Sequence, residues 1–407
     1  QVMVTRRKLL KSLSVLPFVG SMLGTEILSA QVLSNSVAQP ATRDFFKELG
    51  LRTFINAAGT YTSMTGSLMH KEVTDAISYG ATEYVNLDEL HDKVGERIAA
   101  LLDCEYATVS SGAFGAMTIG LAGVICGMDK EKVEQLPDTT GLKNQVILQK
   151  GHNIVYTHAL KNVGVDIVLV ETRKELEKAI NEKTALMWFL NANTDAGEVK
   201  HEEFLQIAKK HNIPTFIDCA ADVPPVDNLF KFTKMGFDLV AFSGGKGLRG
   251  PQSAGLLLGN KKFIQAARMH TPPRGFNIGR GMKVNKEEVL GMLVALELYL
   301  QRDHAKEWKM WEGQIELISD QALSVEGVET EIHVPKYANC VPSLRISWDQ
   351  ARIKISPEDL RKELREGHPS IETVGGKENV GITTWMMDPG QERIVASRIK
   401  EILMKNT

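Results

Sequence analysis

The sequence predicts an α/β protein: a large domain built on a mainly parallel sheet with helices on both faces, followed by a small α+β domain. Three observations carry this. From Tyr106 onward, short apolar and β-branched runs alternate with helix-type runs, the pattern of successive βα units. The strand-type runs are apolar throughout instead of alternating, as strands covered on both faces must be. The chain has 407 residues, enough for one large domain and a smaller one.

Taken in order, strands are expected at 106–109, 145–149, 166–170, 185–190, 214–217, 239–242 and 254–258. Between them, 112–126 reads as a helix of small and apolar residues, with further helices at 156–163, 173–180 and 202–211. A long helix over 286–301 leaves this domain. The small domain begins near residue 325, with strands at 343–348 and 380–385 and helices at 357–366 and 391–404.

Composition excludes several classes. With 43% hydrophobic and 24% charged residues, the chain is ordinary for a globular protein, and a net charge of -2 gives no electrostatic footprint for nucleic acid. The cysteines Cys104, Cys126, Cys219 and Cys340 are widely spaced, with neither metal-ligand spacing nor a disulfide framework; no metal is expected. Thr5-Arg6-Arg7-Lys8-Leu9-Leu10-Lys11 is a twin-arginine signature. The apolar stretch behind it is interrupted by Pro17, Gly20 and Gly24, too broken for a membrane span. Ser36-Val37-Ala38 offers a small-x-small cleavage site, and Leu28-Ser29-Ala30 a second. The expected organisation is therefore a signal at 1–38, an N-terminal arm at 39–55, the large domain at 56–300, and a linker helix with the small domain at 301–407. A twin-arginine passenger is periplasmic or exported, and it folds before it crosses.

The chemistry starts from Lys246 in Ser243-Gly244-Gly245-Lys246-Gly247-Leu248-Arg249-Gly250-Pro251-Gln252, directly behind an apolar run. A lysine at the end of a buried strand loses hydration, which lowers its pKa and makes it a nucleophile or Schiff-base former. Upstream, Asp218 ends a second apolar strand, Pro214-Thr215-Phe216-Ile217-Asp218. Together they are what pyridoxal phosphate needs: a lysine to hold the aldehyde and an aspartate to keep the pyridine nitrogen protonated. Ser110, Ser111, Gly112 and Ala113 lie between a strand and a helix, where backbone N–H groups and the helix N-terminus make an anion site for the phosphate. Ser243 adds a hydroxyl. His152, in Lys150-Gly151-His152-Asn153, is the candidate to cover the pyridine ring, with Tyr156 and His158 just beyond. Asn56, Thr60, Asn193, Arg249, Arg280 and Lys283 are candidate substrate contacts. Arg274, Arg280, Lys283 and Lys286 form a basic cluster that reads either as solvated helix-entry charge or as an anion-binding arm, in its own or a neighbouring subunit.

These residues resemble the selenocysteine synthase (L-seryl-tRNA(Sec) selenium transferase)-like family. The resemblance rests on Asn56-Ala57-Ala58-Gly59-Thr60, Tyr84-Val85-Asn86-Leu87-Asp88-Glu89-Leu90-His91, Ser111-Gly112-Ala113, Ile217-Asp218, Ser243-Gly244-Gly245-Lys246 and Gly250-Pro251-Gln252. The stretch from Arg280 to Glu287 is similar to the D-glucosaminate-6-phosphate ammonia-lyase branch. The resemblance implies the fold type I (aspartate aminotransferase-like) pyridoxal phosphate architecture, Lys246 as the Schiff-base lysine, Asp218 as the partner of the pyridine nitrogen, and a homodimer or larger homo-oligomer with shared sites. The expected activity is α,β-elimination of the ammonia-lyase type on an amino acid or amino sugar acid. A selenium transferase-like transfer, a racemisation or an aldol cleavage would use the same lysine and aspartate. A non-catalytic scaffold is the alternative from a different class.

Overall fold

A computed structural model describes residues 43–407 of the chain. The expected signal at 1–38 and the start of the arm lie outside the described residues. Residues up to Arg52 form a unit of their own. Within it, the single turn Phe45–Glu48 is capped by Asp44, whose carboxylate accepts from the Lys47 N–H.

The second unit runs from Thr53 to Thr407. It opens with β1 (Phe54–Asn56) and then builds a seven-stranded sheet from β2 (Tyr106–Ser110), β3 (Gln145–Gln149), β4 (Asp166–Val170), β5 (Thr184–Leu190), β6 (Thr215–Asp218), β7 (Leu239–Ser243) and β8 (Gly255–Gly259). The strand order is β2-β8-β7-β6-β5-β3-β4. All pairings are parallel except the two made by β8. Because β8 is antiparallel to both neighbours, β2 runs the same way as β7. The carboxyl ends of β2, β6 and β7 therefore meet at one edge, where ligands of such sheets bind. Gly255 pairs with Ser110 on one side and Ser243 on the other, so the two serines flank one glycine.

Apart from the edge strand β4, which is partly exposed, the sheet is buried on both faces, as its composition requires. Every residue of β5 is buried. One face packs Met187, Phe189, Ile217 and Phe242 into one core cluster, and the other packs Trp188, Leu190, Phe216 and Ala241 into a second. Helix Gly112–Cys126 is apolar almost all round and largely buried, as a helix between a sheet and other helices must be. Its Gly123 permits close packing on helix Lys261–Arg268: a Cβ there would sit 2.4 Å from the Ala267 nitrogen. Helices Lys71–Gly80 and Leu87–Leu102 precede the sheet. The expected helix at 156–163 is instead a 3-10 turn, Val155–Thr157, followed by the short helix His158–Lys161.

Helix Lys286–Gln301 leads to His304–Leu323 and the small domain. There β9 (Val328–His333) and β10 (Ser343–Trp348) pair antiparallel; β11 (Ser370–Glu372), β12 (Val374–Gly375) and β13 (Val380–Thr383) follow. The order of the four-stranded sheet is β12-β13-β10-β9. β1 pairs in parallel with β11, and Ile55 and Ala57 join the small-domain core with Ile371, Val380 and Ile382. The chain thus supplies a strand to the small domain before it builds the large one. Among the described residues, no helix is long and apolar enough to cross a membrane.

His91, His152 and His270 are buried, the last two with no exposed surface, and burial pushes each imidazole down to about 4. An unfolded histidine titrates near pH ~6.5. Between these values the unfolded chain holds more protons than the folded one, so stability is full above about pH 6.5 and falls toward pH 4. Each predicts a loss of up to about 1.4 kcal/mol per pH unit in that window, offset in part below about pH 6 by the buried Asp222 carboxyl, whose pKa is raised to about 6. Urea unfolding at pH 7, 6 and 5 measures this, and equal midpoints at all three would refute it.

Candidate active site

The carboxyl edge of the large sheet and the small domain enclose a cavity of about 650 Å³. Lys246, Asp218, Ser243, Gly112, Ala113 and Thr60 are all on its wall. Asp218 ends β6 and is 3% exposed, and its Oδ1 accepts from the Ala220 N–H at 2.9 Å. Burial raises its pKa, while that N–H and the Lys246 ammonium work against the rise. Lys246 follows β7 in a tight turn in which a Cβ on Gly245 or Gly247 would collide with Gln252 or with the Val223 carbonyl. Burial lowers the Lys246 pKa, opposed by the carboxylates of Asp218 and Asp222. A lysine that gives up its proton more readily than usual thus faces two acids that do so less readily.

The phosphate end is built from backbone. Ser111 is the N-cap of helix Gly112–Cys126, but its side chain makes no capping hydrogen bond and the first turn holds no acid. The first-turn N–H groups are therefore left for an oxyanion. Gly112 has φ of +67°, and a Cβ there would meet no protein atom nearer than 4.0 Å, so that space belongs to the cavity it lines. Free helix donors, a buried lysine and a buried aspartate fit the three ends of pyridoxal phosphate.

Several expected residues stand elsewhere. His152 does not cover the cavity: its imidazole is edge-on to Phe189 and its Nδ1 accepts from the Leu190 N–H at 3.2 Å. The 3-10 turn Lys150–His152 tucks the ring into the core, and the wall's aromatics are Phe114, Tyr61, Tyr156 and Trp385. Ser110 is 2% exposed and donates to the Gly112 carbonyl at 3.0 Å; with Ser111 it borders a smaller pocket behind the helix start. Asn56 shapes the chain instead of facing it: its Oδ1 accepts from the Ala58 and Gly59 N–H groups, and its Nδ2 donates to the Gly59 carbonyl. Asn193 donates to the Gly151 carbonyl. Arg249 donates to the Trp385 carbonyl at 2.7 Å and borders a separate pocket with Arg302 and Glu307. Arg280 and Lys283 line an open surface depression with Lys286.

The small-domain wall was not foreseen. It brings Arg345, His333, Asn339 and Asn379 to the cavity. Arg345 had a legible signal: a charged residue between the apolar Leu344 and Ile346 of a strand. Asp222 was also missed. It is 1% exposed, and burial pushes its carboxyl up to about 6 against the donors Asn191 and Ala338.

A lysine, an aspartate and a free helix start at the edge of this sheet fit a fold type I pyridoxal phosphate enzyme. Residues 54–333 match the family described as L-seryl-tRNA selenium transferase, and the chain belongs to that family. It is 28% identical over 377 residues to the D-glucosaminate-6-phosphate ammonia lyase of Salmonella typhimurium, covering 89% of this chain and 98% of that one. It is 26% identical to a 5'-C-glycyluridine monooxygenase-decarboxylase of a Streptomyces species, covering 88% and 92%. A solved structure of a D-glucosaminate-6-phosphate ammonia-lyase superposes with a TM-score of 0.78 at 26% identity, covering 90% of this chain and 99% of that one.

Gly112→Val tests the phosphate end. Valine at a positive φ costs about 1–2 kcal/mol, and its side chain would fill the space left for the oxyanion. The variant is expected to fold but to lose pyridoxal phosphate on dialysis, measured as cofactor per chain. Full retention would move the phosphate elsewhere.

Proposed function

We propose that this enzyme is a lyase that removes ammonia from an amino acid or amino sugar acid by α,β-elimination. The observation that carries the reading is Lys246 on the wall of the same cavity as Asp218, in a chain similar along almost its whole length to an ammonia lyase. Pyridoxal phosphate supplies the electron sink for the carbon that loses its proton.

The residues have separate tasks. The Gly112 and Ala113 N–H groups and the helix start would hold the phosphate, with Ser243 beside them. Asp218, kept from water, would keep a proton on the pyridine nitrogen through a charge-assisted hydrogen bond. Lys246 would hold the cofactor aldehyde, and its amine, with its pKa lowered by burial, would serve as the base for the proton on the adjacent carbon. Arg345, the wall's one guanidinium among the described residues, is the natural partner for the substrate carboxylate.

Two further proposals concern the protein's setting. The side chains of Tyr84 and Phe276 are largely exposed, at 102% and 82%; together with Tyr79 and Val85 they support a homodimer or larger homo-oligomer that covers them. The Arg6-Arg7 signature supports export by the twin-arginine route with cofactor already bound. The acidic balance left after removal of residues 1–38, 44 basic against 49 acidic side chains, supports a small-molecule substrate and no nucleic acid.

Lys246→Ala should abolish the yellow absorbance of the holoenzyme and reduce ammonia release to background; a persistent band in the pure variant would remove Lys246 from this role. Asp218→Asn should keep the band and lower turnover by about 10²-fold or more. A panel of D- and L-amino acids and amino sugar acids, assayed for ammonia, 2-oxo acid and loss of chirality, separates elimination from transfer, racemisation and aldol cleavage. Racemisation without ammonia would overturn the lyase reading.

A further inference from the structure

The loop between β9 and β10 crosses from the small domain to the large one. Along it, Lys336 donates to both Asp195 carboxylate oxygens at 3.0 and 2.9 Å, and the Tyr337 hydroxyl reaches the same carboxylate. Ala338 donates its N–H to Asp222 Oδ1 at 3.1 Å, and Asn339 donates its N–H to the Ala221 carbonyl at 2.7 Å. Ala338 and Asn339 stand at φ of 50° and 47°, left-handed in succession. An alanine keeps that conformation only where its surroundings hold it.

Asp222 is the centre of what holds it. The carboxylate is 1% exposed, and the Oδ1 that takes the Ala338 N–H also takes Asn191 Nδ2 at 2.7 Å. Asn191 is fixed in turn by His201, whose Nε2 lies 2.9 Å from its Oδ1. The acceptor is thus set by the end of β5 and the segment behind β6, while the donor belongs to the small domain. The charged groups that act on Asp222 are Asp218 and Lys246, on the cavity wall. The loop puts Ala338 and Asn339 on that wall too. The Asn339 side-chain oxygen is buried and has no partner among the described residues, so a polar group beside the cavity is left waiting for one.

We infer that Asp222 is a positioning residue that clamps the 336–339 loop across the two domains, and that through it Asn339 becomes a specificity-determining residue reading a hydroxyl on the substrate. The inference deepens the proposed function and rests on the same cavity being the substrate site. Among amino acids it selects those with a hydroxyl beyond the α-carbon. Such substrates also carry a leaving group suited to elimination.

The test uses the holoenzyme and the variants Asp222→Ala, Asp222→Asn, Asn339→Ala and the Asp222→Ala/Asn339→Ala double. Serine and alanine, in both enantiomers, are titrated against the yellow absorbance. The wild type is expected to bind one serine enantiomer about tenfold more tightly than the matching alanine, as loss of one buried hydrogen bond implies. Asp222→Ala and Asn339→Ala should each abolish that preference, and the double variant should be no worse than either single. Where serine turns over, the loss in Asn339→Ala should fall on KM with kcat little changed. Asp222→Asn keeps an acceptor for Ala338 and should restore the preference; a variant that behaves like Asp222→Ala would show that the charge, not the clamp, matters, and would overturn the inference. So would additive losses or an unchanged preference. Amide hydrogen exchange over 336–340 decides the clamp without any substrate: about tenfold faster exchange in Asp222→Ala, reversed in Asp222→Asn, is expected, and unchanged exchange refutes it. If neither an amino acid nor an amino sugar acid perturbs the absorbance, the lyase reading fails while the exchange result still stands.

Discussion

A lysine and two aspartates share one poorly hydrated corner at the carboxyl edge of the sheet, and much of the architecture serves to keep them there. Transferring one such ion from water costs several kcal/mol even after relaxation. The attraction between Lys246 and the two carboxylates recovers only part of it, which is why burial still shifts the lysine down and both acids up. Such a corner persists only on a scaffold that cannot relax away from it. The parallel pairing of β6 with β7, which sets Asp218 opposite Ala241, fixes the strand end that carries the aspartate. The Lys246 turn is fixed by backbone contacts too close for side chains, with Gly247 against Val223 and Gly245 against Gln252. The core on both faces of β5 supplies the rigidity behind them.

The same physics decides what the sequence reveals. Most of strands β2 to β8 are legible because burial on both faces removes alternation and leaves short apolar blocks; β4, at the sheet edge, is partly exposed and is legible from its β-branched run alone. Lys246 and Asp218 are legible because a charge at the end of such a block has nowhere to go except a site. His152 misleads because sequence reports the residue type in a loop but not its direction. Gly151 is pressed against the Ala196 carbonyl, where a Cβ would lie 2.2 Å away, and that approach turns the next side chain inward. Asn56 misleads for a related reason: an asparagine before Ala-Ala-Gly satisfies its own turn. The pairing of β1 with β11 joins the two ends of the folded unit, and no local pattern in Phe-Ile-Asn announces a partner so distant in sequence.

The small domain was read as an α+β lobe with no site residues, yet it forms a large part of the cavity wall. Its contribution is hard to see because its wall residues are single polar side chains on alternating strands and on one strained loop, not a motif. Arg345 points away from Leu344 and Ile346, as strand alternation demands, and its meaning depends on where the domain docks. That docking runs through the loop's backbone, with the Ala338 and Asn339 N–H groups donating to the Asp222 carboxylate and the Ala221 carbonyl, and through the Lys336 and Tyr337 side chains on Asp195.

This division suits a chain whose relatives include an ammonia lyase and a monooxygenase-decarboxylase. In the proposed mechanism the lysine, the aspartate and the helix start serve the cofactor, so they do not choose among its reactions. Choice would then fall to groups on the rest of the cavity wall, which come from β10, β13 and the loop between β9 and β10. Arg345 illustrates the energetics. Its guanidinium pairs with Glu331 at 2.9 Å, but both side chains are about half exposed, so the pair contributes at most about 1 kcal/mol. In the proposed reaction a substrate carboxylate would compete with Glu331 at little cost, and product release would return the arginine to a partner already in place. The cation is thus kept oriented between turnovers without being held tightly enough to resist its ligand.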